Sequence, residues 1–174
     1  NYITTNRKDF AVSSTFVDYL TKVNDPRLPA IADKNIQGAY KGVPYGVFPP
    51  TWKAQDVSLA ATAMRLQNSS VNVLTYAQVL FAQAEAAQLG WISGSAQTFY
   101  EAGIKASMEQ WGTYTADAYA KYIAQSDVAF TSAKAIEQIA TQRWIALFYQ
   151  NSEAWAEWRR TGFPVLKPAE KPLN

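Results

Sequence analysis

The chain contains neither cysteine nor histidine among its 174 residues. Without a thiolate or an imidazole, it cannot form a zinc finger, a Ser-His-Asp triad or a Cys-His nucleophile pair. The lack of cysteine also excludes disulfides, although it leaves the redox state of the surroundings open. These absences argue against most classes of enzyme. We therefore expect a protein that is not an enzyme and that holds neither a metal nor a cofactor.

Neither positive nor negative charge is in large excess. The 16 Lys and Arg residues nearly balance the 14 Asp and Glu residues, which leaves a net charge of +2. The largest basic cluster is the pair Arg159-Arg160, so we expect no nucleic-acid partner. No apolar run approaches the roughly 20 residues that cross a bilayer, and no signal-peptide pattern opens the chain. The hydrophobic content of 48% is nevertheless sufficient for one folded domain with a core.

The first third is rich in residues that interrupt regular structure. Residues 24–52 hold five of the eight prolines and three of the eight glycines, which predicts a long ordered loop. Four aromatic residues lie in this loop, namely Tyr40, Tyr45, Phe48 and Trp52. Because sugar C–H groups stack on aromatic faces, we interpret Tyr40, Tyr45 and Trp52 as candidate glycan-binding residues. The alternative is that the rings anchor the loop to the helices by burying their large surfaces.

Beyond the loop, apolar residues recur every three or four positions, as in helices that bury one face. Caps and glycine stops mark the helix ends. The predicted helices span residues 72–89, 96–111, 116–125, 132–149 with Ser132 as cap, and a last stretch that starts after Asn151 or Ser152 and stops at Gly162. The short link between the first two predicts an antiparallel helical hairpin of the tetratricopeptide kind, although the strict period of that repeat is absent.

We therefore predict a mainly α fold made of tetratricopeptide-like helical hairpins with a loop-rich N-terminal third. Residues 1–70 form the loop-rich segment with one short helix, residues 71–165 form the hairpins, and the whole chain, 1–174, is one domain. Trp155 and Trp158 lie three residues apart on the last helix, and we expect them to pack in the core or between helices.

Charged residues in the predicted helices have both a structural and a chemical interpretation. Glu153 and Glu157 could form the carboxylate pair of a glycosidase, but such a pair faces a bound sugar across a cleft. Here both lie on one helix, and Arg160 follows Glu157 by three residues, which favours surface ion pairing. Glu85 and Arg143 lie on faces that we expect to be partly buried. Since a buried charge needs a partner, we predict that they form an ion pair between the hairpins, with a perturbed acid as the alternative.

Four stretches, in this order, resemble one known family. They are Asn24-Asp-Pro-Arg-Leu-Pro29, residues 75–87 ending in Ala84-Glu-Ala-Ala87, residues 100–111, and residues 139–162 ending in Arg159-Arg-Thr-Gly162. The chain resembles the SusD/RagB-like outer-membrane nutrient-binding lipoproteins, in the branch described as starch-binding and associating with the outer membrane. The resemblance extends over most of the chain, and the order of the stretches matters more than any one of them.

The resemblance implies a non-catalytic protein on the cell surface, at the outer membrane. It would capture an oligosaccharide, a polysaccharide or another nutrient and deliver it to a SusC-like TonB-dependent transporter. Because family members are longer and carry a lipid anchor, the chain is expected to be a C-terminal region or fragment, and membrane association would come only through an anchor absent from it. The alternative function is a helical protein-interaction scaffold without a small-molecule site, and a glycosidase ranks last.

Overall fold

The computed structural model describes residues 10–47 and 52–169. Phe48, one of the aromatic residues of the loop, lies outside the described residues. The chain divides into two compact units, one of residues 1–71 and 166–174 and the other of residues 72–165. The expectation that the whole chain is a single domain stays a prediction.

The first unit is built from short helices joined by long connections. They are α1 (Ser14–Lys22), α2 (Leu28–Ile31) and the 3₁₀ helices Ala54–Asp56 and Thr62–Arg65. Helix α1 begins after Ser13, whose hydroxyl oxygen accepts a hydrogen bond from Phe16 N, the usual role of a serine N-cap. Its apolar residues Phe16, Val17 and Leu20 are buried. This helix therefore supplies one side of the core of the first unit.

A buried ion pair closes the turn between α1 and α2. The Arg27 guanidinium donates from Nε to Asp25 Oδ1 at 2.9 Å and from Nη2 to Asp25 Oδ2 at 2.6 Å. The backbone N of Arg27 also donates to Asp25 Oδ1 at 2.9 Å. Both side chains are fully buried. The Asn24-Asp-Pro-Arg-Leu-Pro29 stretch therefore has a structural role in holding this turn.

The second unit consists of longer helices. They are α3 (Tyr76–Gln88), α4 (Ala96–Gln110), α5 (Ala116–Ile123), a 3₁₀ turn Ser132–Lys134, α6 (Ala135–Ala146) and α7 (Asn151–Thr161). Helices α3 and α4 pack together as a hairpin, and α6 contacts α3, α4 and α7. The prediction of a mainly α fold is confirmed. Within the described ranges, no helix has the length and apolar content to span a bilayer.

Helix α6 is the central helix of the second unit and carries buried polar residues. The amide of Gln142 donates to Tyr122 Oη at 2.9 Å, and the amide of Gln138 donates to Ala129 O at 2.7 Å. The Gln138 side-chain oxygen accepts from Thr131 N at 2.9 Å. Because these amides have partners, their burial carries no penalty for unsatisfied groups. They tie α6 to α5 and to the connection that precedes α6.

Helix α3 begins later than its apolar spacing predicts. Thr75 Oγ1 accepts from Gln78 N at 3.3 Å, and Gln78 Oε1 accepts from Thr75 N at 2.8 Å. This reciprocal capping box fixes the first helical residue at Tyr76. Leu74, which falls within the predicted helix 72–89, lies before the cap and is exposed.

The starts of the last two helices also differ from the prediction. Ser132 begins a 3₁₀ turn instead of capping an α-helix, and α6 starts only at Ala135. Helix α7 starts at Asn151, so the capping position is Gln150, whose side chain makes no capping bond. The prediction that Asn151 or Ser152 caps this helix is wrong, because both residues already lie within the helix.

Gly103 lies at a close contact between α4 and α3. A β-carbon at this position would lie 2.7 to 2.9 Å from ring carbons of Phe81, whose side chain is fully buried. We expect Gly103→Ala to lower the free energy of unfolding by about 1–2 kcal/mol, measured by urea denaturation. Overpacking costs about 1–3 kcal/mol, whereas alanine is favoured over glycine within a helix by only about 1 kcal/mol. In a Phe81→Leu background the same substitution should cost less, and an equal cost in both backgrounds would contradict this explanation.

Candidate functional site

Two segments of the first unit border an open surface pocket of about 430 Å³. Its walls are residues 33–36 and residues 54–59. The lining side chains are Asp33, Lys34, Asn35, Ile36, Ala54, Gln55, Val57 and Leu59. The volume lies in the range of about 300–1,000 Å³ that is typical of small-molecule sites. Charged, amide and aliphatic groups together suit a ligand with both polar and apolar faces.

Backbone hydrogen bonds hold the two walls together. Asp33 N donates to Leu59 O at 2.9 Å, and Ile36 N donates to Gln55 O at 2.9 Å. Because both bonds join main-chain groups, the separation of the walls does not depend on exposed side chains. The pocket is therefore a feature of the backbone of the first unit.

The side chain of Asn35 shapes the turn that leads into Tyr40. Its Oδ1 accepts from Gln37 N at 3.1 Å and from Ala39 N at 2.9 Å, as asparagine does in turns. Its Nδ2 donates to the carbonyl oxygen of Asp56 at 3.1 Å, across to the second wall. Asn35 thus sets the turn and also fixes it against the opposite wall.

The Asp33 carboxylate accepts several hydrogen bonds and forms an ion pair. Thr62 donates to it from Oγ1 at 2.7 Å and from the backbone N at 3.1 Å, and Arg65 Nη2 donates to it at 2.7 Å. Burial by itself raises the pKa of Asp33, but the hydrogen bonds from Thr62 and Arg65 and the charge of Arg65 together hold that pKa below its ordinary value. Asp33 is therefore an ionised carboxylate whose charge is paired with that of Arg65.

Tyr40 lies next to the pocket, because its ring contacts Lys34, which is one of the lining residues. The Lys34 ammonium is 5.5 Å from the centroid of the Tyr40 ring, within the range of a cation–π contact. Burial raises the pKa of the Tyr40 hydroxyl above its ordinary value, and the negative charge of Asp33 raises it further. The hydroxyl therefore stays neutral at physiological pH and can both donate and accept a hydrogen bond.

The three aromatic residues predicted to bind glycan occupy different places. Tyr40 is half-buried and contacts a pocket-lining residue. Trp52 is half-buried and precedes the lining residue Ala54 by two positions. Tyr45 is 40% exposed and does not line the pocket. In the part of the chain that the structure describes, no ring contact joins the three, so they do not form one continuous aromatic surface.

A cluster of ion pairs in the second unit joins α3, α6 and α7. Arg160 Nη2 donates to Glu85 Oε2 at 2.7 Å and to Glu157 Oε2 at 2.7 Å. Arg143 lies 3.2 Å from Glu157, 3.6 Å from Glu153 and 3.9 Å from Glu85. The sequence paired Glu85 with Arg143 and missed Arg160, which binds Glu85 more closely. The two glutamates considered as a glycosidase pair, Glu153 and Glu157, both lie against Arg143, an arrangement that links helices.

The paired tryptophans of α7 contradict one prediction. Trp155 is 57% exposed, and its ring stacks on that of Trp158 with centroids 5.1 Å apart and planes at 22°. The indole N–H of Trp158 donates to Pro164 O at 3.1 Å. The expectation is that the two rings pack in the core or between helices, and a place in the core is wrong for Trp155, because α7 buries none of its residues fully.

The groups around the pocket suit reversible binding. An ammonium, an amide and a neutral phenol can exchange hydrogen bonds with a ligand, while Ile36 and Val57 offer aliphatic surface. Across residues 10–47 and 52–169, no three metal-binding side chains converge on one point. The sequence alone did not reveal Asp33 and Arg65, because their pairing joins positions 32 residues apart. The asparagine and glycine of the turn at residues 35–39 are the one local signal that could have drawn attention to this wall.

The chain belongs to the SusD-like family described as starch-binding and associating with the outer membrane, which it matches over residues 1–174. Proteins of this family bind and do not catalyse, in agreement with the prediction that the chain is not an enzyme. A search of curated proteins found no match.

Several solved structures are similar to this chain. A chitin-binding SusD homologue from Flavobacterium johnsoniae shares 30% identity at a TM-score of 0.84, over 98% of this chain and 41% of that one. A SusD homologue from Bacteroides vulgatus shares 28% identity at a TM-score of 0.79, over 91% of this chain and 39% of that one. A SusD-like protein from Bacteroides thetaiotaomicron shares 30% identity at a TM-score of 0.75, over 92% of this chain and 40% of that one. The chain therefore spans about two fifths of the length of these relatives. Their tetratricopeptide-like helical fold confirms the predicted fold class.

Proposed function

We propose that this chain takes part in capturing a glycan at the cell surface and that the glycan then passes to a SusC-like TonB-dependent transporter. The glycan binds at the pocket between residues 33–36 and 54–59, with Tyr40 and Trp52 beside it as stacking surfaces and Tyr45 as a further contact. The observation that carries the proposal is this backbone-built pocket with a half-buried aromatic ring next to it. The whole protein would reach the outer membrane through a lipid anchor.

The relatives support a glycan as the ligand. The family is described as starch-binding, and two of the similar structures are described as chitin-binding. Both polymers are chains of sugar rings with apolar C–H faces and polar edges, so they need what the pocket provides. The association of the family with the outer membrane supports hand-over to a transporter in that membrane.

A protein-interaction scaffold is the second candidate function. Helix α3 exposes two apolar residues, Tyr76 and Val79, which lie three positions apart and so share one face. An apolar helix face of this kind can bind another protein. This function would need neither the pocket nor the aromatic residues of the loop.

Affinity electrophoresis of the chain in gels that contain starch, soluble chitin or other polysaccharides tests the proposal. We expect at least one polysaccharide to retard the chain. We also expect Tyr40→Ala and Trp52→Ala to weaken binding by about three- to tenfold, because an aromatic stacking contact contributes on the order of 0.5–1.5 kcal/mol. Circular dichroism would verify that each variant remains folded.

Matched controls come from exposed aromatic residues of the second unit. Tyr76→Ala removes a tyrosine and Trp155→Ala removes a tryptophan, and neither residue belongs to the pocket-forming segments. Both variants should retain the affinity of the unmodified chain. Absence of retardation by every polysaccharide would favour the scaffold, whereas equal losses in the control variants would place glycan binding outside the pocket.

A further inference from the structure

The pocket leaves few of its polar groups available to a ligand. Both oxygens of Asp33 accept hydrogen bonds from Thr62, and Arg65 adds a charged donor. The oxygen of Asn35 accepts two backbone N–H groups, and its nitrogen donates to Asp56 O. These two side chains therefore hold the walls in place, and a ligand would have to displace structural bonds to use them.

Lys34 and Gln55 are the lining side chains that remain. Among the described residues, neither side chain makes a hydrogen bond or an ion pair. The Lys34 ammonium instead lies over the Tyr40 ring, and the residue as a whole is exposed. Gln55 offers an amide that can donate to an acceptor. Both groups can donate a hydrogen bond, the Gln55 amide can also accept one, and Lys34 carries a full positive charge.

The pocket lining holds one negative and one positive residue, Asp33 and Lys34. Arg65, which lies outside the lining, pairs with Asp33 at 2.7 Å. The charge of Lys34 has no such partner among the described residues. A bound anion would therefore meet the Lys34 ammonium and an ionised carboxylate whose charge is offset in part by Arg65.

We propose that this pocket prefers a sugar that carries a carboxylate, as uronic acids do, over a neutral sugar of the same size. The carboxylate would accept from the Lys34 ammonium and the Gln55 amide, while the sugar ring lies against the aliphatic side chains of Ile36 and Val57. This inference rests on the proposed function of the same site and specifies its ligand class. A charge-assisted hydrogen bond is stronger than a neutral one, so the carboxylate adds affinity that a neutral ring cannot obtain from these donors.

Titration calorimetry with matched sugars tests the preference. The probes are short oligomers of galacturonate and of glucuronate, the methyl esters of the same oligomers, and a neutral chitin oligomer. Methyl esterification removes the charge and leaves the sugar ring intact. We expect each acid to bind about three- to fivefold more tightly than its ester, the size of a partly exposed ion pair, and the difference to shrink as salt is added.

Two variants locate the effect. Lys34→Gln should abolish the difference between acid and ester, whereas Lys53→Gln, which changes an exposed lysine that does not line the pocket, should preserve it. Equal binding of acid and ester, or a preference that survives Lys34→Gln, would overturn this inference. Tight binding of the chitin oligomer in the same experiment would leave glycan capture standing, whereas failure of every sugar to bind would remove the pocket as the capture site as well.

Discussion

Replacing Arg27 by methionine is expected to lower the free energy of unfolding by about 3–5 kcal/mol, the usual cost of removing one partner of a buried ion pair. Arg27 and Asp25 are both fully buried, and the guanidinium engages both carboxylate oxygens. Methionine fills similar volume without the charge. The Asp25 carboxylate would then lie in the core of the first unit without the Arg27 guanidinium, and its desolvation would be offset less.

Urea denaturation followed by circular dichroism measures this loss. In the double variant Asp25→Asn/Arg27→Met, the buried charge is gone but an oxygen remains to accept from the backbone N of residue 27. The double variant should therefore be more stable than Arg27→Met alone. Arg159→Met, at an exposed position, serves as the control and should change stability by less than about 0.5 kcal/mol. A loss below about 1 kcal/mol for Arg27→Met would show that this pair does not hold the turn.

Helix positions could be predicted because their signals are local. Ser95 and Thr115 cap α4 and α5 with their hydroxyl oxygens, and both helices start where the sequence placed them. Gly90 and Gly162 adopt φ of 75° at the ends of α3 and α7, which glycine does at little cost. Each of these signals depends on residues within one turn of the helix end, so no tertiary information was needed.

The pocket could not be predicted, because it depends on which segments pair. Asp33 and Leu59 are joined through the backbone across 25 intervening residues, and nothing in either segment specifies the other. The same limit explains why Glu85 was paired with Arg143 alone. Arg160 reaches Glu85 only because α7 returns towards α3, which spacing on a single helix does not reveal.

Burial also differs from what residue type predicts: some polar residues are buried, and one large aromatic residue is exposed. Gln138 and Gln142 are buried in α6, where their amides find partners on other segments, so a search for an apolar stripe undervalues this helix. Trp155 is large and apolar, yet it lies on a helix at the edge of the second unit and remains 57% exposed. Side-chain type sets a tendency towards burial, and the position of the helix decides the outcome.

Gly42→Ala is expected to cost about 3 kcal/mol of unfolding free energy, near the upper end for overpacking. A β-carbon at Gly42 would lie 2.4 Å from Ser14 Cα and 2.5 Å from Ser14 N. These are backbone atoms, which cannot turn aside as a flexible side chain can. The collision can be relieved only if the segment around Gly42 moves away from the segment around Ser14. This movement breaks the 2.8 Å hydrogen bond from Ser14 N to Val43 O and the 2.9 Å hydrogen bond from Val43 N to Val12 O.

Gly38→Ala is the matched control, because it isolates backbone conformation from collision. Gly38 has φ of +76°, and a β-carbon added there would meet nothing within 4 Å, so alanine at this position should cost only about 1 kcal/mol. Equal losses of unfolding free energy in the two variants would contradict the explanation that the β-carbon at position 42 collides with Ser14.

The effect of Gly42→Ala should extend to ligand binding. Lys41, next to Gly42, is joined to Ser58 by the bonds Lys41 N to Ser58 Oγ at 2.9 Å and Ser58 N to Lys41 O at 2.7 Å, and Ser58 belongs to the second wall of the pocket. Displacing Gly42 therefore shifts a wall, and we expect glycan affinity to fall more in Gly42→Ala than in Gly38→Ala at a temperature where both variants are folded. If Gly42→Ala loses stability but keeps full affinity, the glycan binds away from this wall.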